Sequence, residues 1–156
     1  MTQPSFIDRR REGARPTTTP TNPHTQLTQN APAELQEEVF EFARSLGDVV
    51  VGPSAVSVPG ARAFHLPTCA GTTPGCFMVG HEFAHLHPPV DGSLHAVLPP
   101  DVVDTVIENG WAERHPLAGK FGLPANIVML YGPRTEAEVT VVKDLVRASW
   151  AHAHGA

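Results

Sequence analysis

Two short segments separated by a five-residue turn sequence constrain the fold of this chain more than any other feature. Residues 81–87 and 93–98 are read as β-strands, and residues 88–92 between them are Pro-Pro-Val-Asp-Gly. In such a turn, proline presets φ, aspartate bonds its own backbone and glycine supplies a positive φ. The sequence therefore predicts an antiparallel hairpin centred on Val90.

Histidines recur at matching positions of the two predicted strands. Alternate residues of a strand share one face. In the first strand these residues are His81, Phe83, His85 and His87. Symmetric pairing about the loop places His85 opposite His95, with their Cβ atoms about 4.5–5.5 Å apart. The same register places His87 opposite Ser93, so one face of the sheet is predicted to carry a histidine cluster and the other to pack on helices.

Helical spacing of apolar residues predicts three helices elsewhere in the chain. They span residues 32–46, residues 99–110, and residues from Thr135 onward, where Glu138 completes a capping box. Short β-prone runs separated by turn residues predict further strands at 48–51, 55–58, 61–66 and 126–131. Short connections indicate an antiparallel sheet. The predicted fold class is α+β, with about three helices on one face of the sheet and a histidine-lined pocket on the other.

Composition divides the chain into a tail and one domain. Residues 1–31 are rich in Thr, Pro, Gln, Asn and Arg and poor in large apolar residues. Such a segment buries too little surface to offset the entropy of ordering, so a disordered N-terminal tail is predicted. The remaining residues, 32–156, suffice for one domain with a hydrophobic core.

Charge and hydropathy argue against several classes of partner. The net charge is −5 with neutral histidines, and no basic cluster follows Arg9–Arg11, so nucleic-acid binding is not expected. No apolar run reaches about 18 residues and no secretory signal is evident, which predicts a cytoplasmic protein without a membrane partner. Cys69 and Cys76 are expected to stay reduced there. Without further ligands at the usual spacing they make a poor zinc signature.

Four blocks of residues around and after the hairpin form a recognisable combination. They are Glu82–His87, Asp91–His95, Gly110–Gly119 and Leu130–Arg134, followed by an acidic helix. Together they resemble the fungal luciferase domain family, which has many bacterial members of unknown activity. The resemblance covers about residues 80–153. It is specific because the block Gly-Trp-Ala-Glu-Arg-His-Pro-Leu-Ala-Gly is long and unusual in composition.

The resemblance implies an O₂-dependent oxidoreductase of the monooxygenase type. Fungal luciferases oxidise 3-hydroxyhispidin, an α-pyrone, through a cyclic peroxide that loses CO₂, and no cofactor beyond O₂ is normally invoked. The expected partner is thus a small enolisable aromatic or α-pyrone substrate, although a shared domain need not emit light. The positions matching the family are Glu82, His85, His87, Asp91, His95, Trp111, Arg114, His115, Tyr131 and Arg134. The fungal enzymes also carry a membrane-anchoring segment that has no counterpart here, and their hairpin loop differs.

Cofactor-free oxygenation suggests roles for these residues. A neutral histidine suits the base that makes the enolate, and His85 and His95 are candidates, with His87 beside them. Arg114 and His115 are candidates for holding the enolate and peroxide anions. Candidate substrate-binding residues are Glu82, Asp91, Trp111 and Tyr131, the last two by stacking on a flat ring. In a regular strand Glu82 faces away from the histidines, and a bulge would re-aim it.

Three other interpretations stay open from the sequence. His85, His87 and His95 could bind Zn or Fe, with a set completed by Glu82, Asp91 or His115. The pocket could hold a small ligand without turnover, or the imidazoles could be structural. The remaining histidines are expected to be ordinary surface or terminal residues: His24, His65, His81, His152 and His154.

Overall fold

The computed structural model describes residues 4–67 and 75–155, and six of the segments within them form one antiparallel sheet. In chain order the strands are β1 (Val50–Pro53), β2 (Arg62–His65), β3 (Glu82–Leu86), β4 (Leu94–Val97), β5 (Ala112–Arg114) and β6 (Ile127–Leu130). Their order across the sheet is β1-β2-β3-β4-β6-β5. The hairpin β3–β4 therefore lies in the middle of the sheet.

Four helices accompany the sheet in the described part of the chain. They are α1 (Ser5–Asp8), α2 (Ala33–Ser45), α3 (Val103–Glu108) and α4 (Glu136–His154). The longest, α4, packs on β3 and β4 and also against α1 and α2. The hydroxyl of Thr135 accepts a hydrogen bond from the backbone N–H of Glu138 and caps α4, as the sequence predicts. This arrangement confirms the predicted α+β class.

The hydrophobic core lies between the helices and one face of the central hairpin. Ala84 and Leu86 of β3 and Leu94 and Ala96 of β4 are buried there, among the apolar residues of α2 and α4. Because side chains alternate along a strand, the opposite face of the hairpin carries His85, His87 and His95. The separation of an apolar face from a histidine face is therefore confirmed.

The predicted register of the hairpin is also confirmed. His85 pairs with His95 across the two strands, and the backbone N–H of His87 donates to the carbonyl oxygen of Ser93. Gly92 has a φ of 75°, which the turn requires and which only glycine adopts without strain.

A β-bulge changes the start of β3. Phe64 of β2 pairs with Ala84, whereas the next residue, His65, pairs with Glu82, so Phe83 is an extra residue on β3. The prediction that Phe83 shares the histidine face is wrong, because the bulge turns its ring into the core. The same bulge turns the side chain of Glu82 toward His85.

The predicted strand over residues 55–58 is not formed. The hydroxyl of Ser54 accepts hydrogen bonds from the backbone N–H groups of Val56 and Ser57, and the N–H of Ala55 donates to Glu82. These backbone donors are used in a local turn and in a side-chain contact, so they do not enter the sheet.

Residues 4–31 differ from the disordered tail that composition predicts. Phe6 is buried in the core beside α4, and the backbone oxygens of Phe6 and Ile7 accept hydrogen bonds from Asn109. Arg15 donates to the carbonyl oxygen of Ala112 at 2.8 Å. Composition treats this segment as unable to bury apolar surface, but its docking depends on one aromatic anchor and on specific polar contacts.

Two further predictions concern cysteines and membranes. Cys69 lies outside the described residues, and Cys76 is buried with its Sγ atom 3.4 Å from the carbonyl oxygen of His152. Within residues 4–67 and 75–155, no helix combines the length and the apolar character that crossing a membrane needs.

Candidate active site

Three imidazole rings from the central hairpin meet on the sheet face away from the helices. The Nε2 atom of His85 lies 3.1 Å from the Nδ1 atom of His95, and the Nε2 atom of His87 lies 3.1 Å from that same Nδ1. All three side chains are almost wholly buried. We call His85, His87 and His95 the histidine triad.

The outer nitrogen of His85 is held by a carboxylate. Its Nδ1 atom lies 2.8 Å from the Oε2 atom of Glu82, which the bulge in β3 has turned to this side of the sheet. Glu82 in turn accepts hydrogen bonds from the Ser54 hydroxyl at 2.7 Å and the Ala55 backbone at 3.0 Å. The loop that follows β1 therefore fixes the carboxylate that orients His85.

The outer nitrogen of His87 is held by the hairpin loop. Its Nδ1 atom lies 2.9 Å from the hydroxyl oxygen of Ser93 and 3.2 Å from the Oδ2 atom of Asp91. The Ser93 hydroxyl donates to the other oxygen of Asp91, so its oxygen is left to accept a proton from His87. Asp91 also receives the backbone N–H groups of Ser93 and Gln26.

The outer nitrogen of His95 is held by a residue of the N-terminal segment. Its Nε2 atom lies 2.9 Å from the Nδ1 atom of His24, and the Nε2 atom of His24 lies 2.7 Å from Glu113 on β5. Glu113 also accepts hydrogen bonds from the hydroxyl groups of Thr18 and Tyr131, both at 2.8 Å. His24 is buried, which makes the prediction of a surface histidine wrong.

These contacts determine where the ring protons lie when the imidazoles are neutral. The Nδ1 atoms of His85 and His87 must carry protons because they face acceptors. His24 must carry its proton on Nε2, facing the carboxylate, so its Nδ1 accepts a proton from the Nε2 atom of His95. Three lone pairs, on Nε2 of His85, Nε2 of His87 and Nδ1 of His95, therefore point toward one another with no proton between them.

His115 completes the histidine wall in a different way. It follows β5, and its ring contacts those of His95 and His24 at centroid distances of 4.6 and 5.3 Å. Its Nδ1 atom accepts the backbone N–H of Leu117 at 3.0 Å. The neutral ring therefore carries its proton on Nε2, which makes it a hydrogen-bond donor rather than a base.

Burial and the neighbouring histidines favour the neutral forms of His85, His95 and His115. Burial lowers the pKa of His95 well below its ordinary value, and the neighbouring His87 and His85 lower it further. Burial also lowers the pKa of His85, against the opposing effect of Glu82. For His115, burial and the neighbouring histidines lower the pKa to about 4.

The surrounding carboxylates remain ionised. Burial alone would raise the pKa of Glu82, but hydrogen bonds from His85, Ser54 and Ala55 hold it below its ordinary value. The pKa values of Asp91 and Glu113 are likewise lowered against the effect of burial, by hydrogen bonds from His87 and Ser93 and from His24, Thr18 and Tyr131, respectively. The neutral imidazoles of His85 and His95 thus lie among ionised carboxylates.

A cavity of about 400 Å³ opens next to the histidines. One wall carries polar groups: His24, His85, His87, Asp91, His95 and His115. The other walls are largely apolar: Val56, Val58, Met78, Leu117, Phe121, Leu123 and Ile127. The described residues that line it include no lysine or arginine. The cavity therefore suits an uncharged organic molecule that presents oxygen atoms to the histidine wall.

The structure brings most of the predicted site residues together. Those at the cluster are Glu82, His85, His87, Asp91, His95 and His115. Tyr131 reaches the cluster only through its hydrogen bond to Glu113 and does not line the cavity. Tyr131 is buried outside the cavity lining, so its ring has no surface that could stack on a substrate there.

Arg114 and Trp111 lie away from the cavity. Arg114 pairs with Val128 of β6, whose side chain is in the core between sheet and helices, and its guanidinium contacts Asp104 at 2.9 Å. Strand parity therefore points it away from the neighbouring Glu113 and His115. The indole of Trp111 is buried in the core and donates to the carbonyl oxygen of Arg9. Arg134, also matched by the resemblance, pairs with Glu138 at 2.6 Å at the start of α4.

Two residues of the cluster were not predicted. Glu113 lies two positions before His115 and shares its strand face, so alternation along β5 is a signal that identifies it. His24 lies in a polar segment without periodicity, and nothing local in the sequence points to its role.

The segment that carries most of this site matches known proteins. The model of the luciferase domain family matches residues 80–149. Over 70 residues the chain is 43% identical to a luciferase of Neonothopanus nambi, and 40% identical to luciferases of Armillaria gallica and Armillaria mellea. These matches cover 44% of this chain and 26% of each fungal protein. No solved structure gives a significant match.

The matched segment begins just before β3 and ends within α4. It contains the whole histidine triad, Glu82 and Glu113, whereas His24 lies outside it. Residues 80–149, from the start of the central hairpin into α4, are thus similar to the luciferase domain and to a segment of the fungal luciferases.

Proposed function

We propose that this protein is a luciferase-like oxidoreductase that uses O₂ to oxidise a small enolisable substrate, aromatic or of the α-pyrone type. One observation carries the proposal: basic lone pairs and a neutral N–H donor share one wall of a cavity whose other walls are largely apolar. The similarity to fungal luciferases supports oxygen chemistry in particular. The cavity volume of about 400 Å³ lies within the usual range for small-molecule sites.

The walls of the cavity favour a flat and uncharged substrate. Apolar side chains from three loops surround the space, and Phe121, 88% exposed, stands at its edge on a loop tip. An aromatic ring gains from offset or edge contact with such a residue. A free carboxylate or phosphate would lack a cationic partner among the described lining residues.

The histidine wall has groups for both parts of enolate formation. The histidine triad lines the cavity and carries proton-accepting lone pairs, and neutral imidazole is well suited to take a proton from a hydroxyl or an acidic C–H. The Nε2–H group of His115 donates to the oxygen on which negative charge develops. The neutral state of His115 is useful because a neutral imidazole keeps its N–H proton. The base therefore stays free to take a proton from the substrate.

Oxygenation then follows from the electron-rich enolate. The carbon electron pair of the enolate forms a C–O bond with O₂, and the second oxygen becomes a peroxide anion that recovers the proton held by the site. O₂ is the oxidant and the substrate carbon is oxidised. A cavity with apolar walls limits water and protects the peroxide from hydrolysis.

The test is oxygen consumption with a panel of hydroxylated α-pyrones, measured with an oxygen electrode, with photon counting in parallel. We expect uptake of O₂ that depends on protein and substrate and that falls sharply in His115→Phe. Binding of the pyrones without O₂ uptake would show a ligand-binding module and overturn the proposal. The matched control is Val90→Ser, an exposed residue at the tip of the hairpin loop outside the cavity lining.

A further inference from the structure

The three lone pairs of the histidine triad converge on one point between the rings. Each ring directs an unprotonated nitrogen at the others while its second nitrogen donates outward, to Glu82, to Ser93 and Asp91, or to His24. Two of these nitrogens lie 3.1 Å from the third, and unprotonated nitrogens this close repel one another unless a positive charge lies between them. We propose that His85, His87 and His95 bind a divalent first-row transition metal ion through Nε2, Nε2 and Nδ1, respectively.

The distances between the nitrogens fit such an ion. Ligand nitrogens about 2.0–2.1 Å from a metal, at tetrahedral or right angles, lie about 2.9–3.4 Å from one another. The two measured separations in the histidine triad are both 3.1 Å. The ligand atoms of the three side chains all lie within 4.8 Å of one another. Imidazole nitrogens favour ions such as Zn²⁺, Fe²⁺ and Co²⁺ over Mg²⁺ or Ca²⁺.

The outer contacts are those of metal-bound histidines. Such histidines usually donate their second N–H to a carboxylate or another acceptor, which fixes the tautomer and increases the basicity of the bound nitrogen. Here Glu82 orients His85, Asp91 and Ser93 orient His87, and Glu113 orients His95 through His24. A carboxylate therefore orients each of the three rings, directly for His85 and His87 and through His24 for His95.

The local charge also favours a cation at this point. Glu82 and Asp91 are buried carboxylates, and their described hydrogen bonds come from histidine, serine and backbone N–H groups. Buried charges in proteins are paired or lie near metal ions. A dication between the three neutral imidazoles would balance these carboxylates without requiring a lysine or arginine in the cavity.

A second trio of nearby histidines is less suited to an ion. His24, His95 and His115 also lie close together. However, the Nδ1 atom of His115 accepts from Leu117, and a proton occupies the contact between His24 and His95. In the histidine triad all three nitrogens are unprotonated, and all three residues border the cavity, so an open coordination position would face the substrate. With an ion bound, the three lone pairs are used in coordination, and the ion would supply Lewis acidity in place of the base that the metal-free cluster supplies.

Metal binding can be measured without any assay of activity. Full-length protein is stripped with a chelator, titrated separately with Zn²⁺, Co²⁺ and anaerobic Fe²⁺ by calorimetry, and examined for the visible absorption bands of bound Co²⁺. We expect one equivalent to bind, with affinity reduced at least about 100-fold in His87→Ala and about 10–100-fold in Glu82→Gln, which keeps all three ligands. The matched control is His65→Ala, which removes a histidine outside the cavity.

Circular dichroism spectra of every variant show whether the fold is retained, and Glu82→Gln serves as the test if His87→Ala does not fold. Absence of stoichiometric binding, or equal binding in His87→Ala and the unmodified protein, would overturn the metal site and indicate a shared proton instead. O₂ uptake by metal-free protein would be separate support for the proposed oxidation. Conversely, a metal-loaded protein that binds pyrones without consuming O₂ would keep the metal site and refute the oxidation.

Discussion

The Nε2 atom of His24 lies 2.7 Å from the Oε2 atom of Glu113, and this contact joins the N-terminal segment to the edge strand β5. Through the other nitrogen of His24, the same contact determines which nitrogen of His95 carries a proton. The N-terminal segment thus takes part in a cluster whose other residues lie mostly within residues 80–149. Substitutions can test this connection, the docking of the segment, and the roles of His115 at the histidine wall and Phe121 at the edge of the cavity.

Replacing Glu113 by glutamine should disturb the cluster without removing any of its histidines. A glutamine can donate to Nε2 of His24, which would reverse the tautomers of His24 and His95. The proton of His95 would then lie on Nδ1, between His95 and the other two rings of the histidine triad. We expect kcat/KM for O₂ uptake to fall about 10–100-fold. Nitrogen NMR shifts of the imidazoles report the tautomers directly.

The control for this variant is Glu41→Gln, which changes an exposed carboxylate that pairs with Arg44 on α2. It should leave both the tautomers and the activity unchanged. If Glu113→Gln also retained the tautomers of the unmodified protein, the placement of the ring protons on Nε2 of His24 and Nε2 of His95 would be wrong.

Replacing Phe6 by alanine should destabilise the whole protein. Phe6 is buried against the core, and truncating a buried phenylalanine costs about 3 kcal/mol of unfolding free energy. Urea denaturation measures this cost. Leu27→Ala, in the same segment but 54% exposed, is the control and should change the unfolding free energy by less than about 0.5 kcal/mol. Equal, small effects in both variants would mean that the segment does not dock as described.

Adjacent residues Arg114 and His115 should respond to substitution in opposite ways. Arg114→Gln removes a side chain that is 51% exposed and points away from the cavity, so kcat/KM should stay within about twofold. His115→Phe keeps a ring but removes the N–H donor, and loss of such a donor lowers kcat about 10²–10³-fold. Steady-state O₂ uptake distinguishes the two. A large loss in Arg114→Gln would restore the anion-holding role that the sequence suggests.

Phe121 should influence substrate affinity rather than the chemical step. Its ring is at the edge of the cavity, and Phe121 takes no part in the hydrogen bonds of the histidine triad. We expect Phe121→Ser to raise KM several-fold while kcat changes little, because contact with an aromatic ring contributes about 0.5–1.5 kcal/mol. The control is Val90→Ser, at a residue that is 85% exposed. An unchanged KM in Phe121→Ser would place the substrate deeper, away from this loop.

Local pattern was sufficient for the central hairpin and much of the site. The turn sequence before Ser93 and the alternation on both sides predicted that His85 would face His95, and the structure has that pairing. The same reasoning failed at Phe83, because a single inserted residue reverses the faces of everything before it in the strand. Alternation along β5 places Arg114 on the face opposite Glu113, away from the site to which its sequence block assigns it.

Alternation and turn chemistry among residues close together in the chain are enough to specify the α+β class, the hairpin register and the meeting of His85, His87 and His95. The place of His24 in the cluster, by contrast, depends on tertiary contacts with His95 and Glu113, which are 71 and 89 residues away in the chain. Docking of a polar segment leaves no periodic signal, since its stability comes from individual hydrogen bonds and a single buried ring. The position of the ring proton on His95, and with it the third lone pair of the proposed metal site, follows from those long-range contacts.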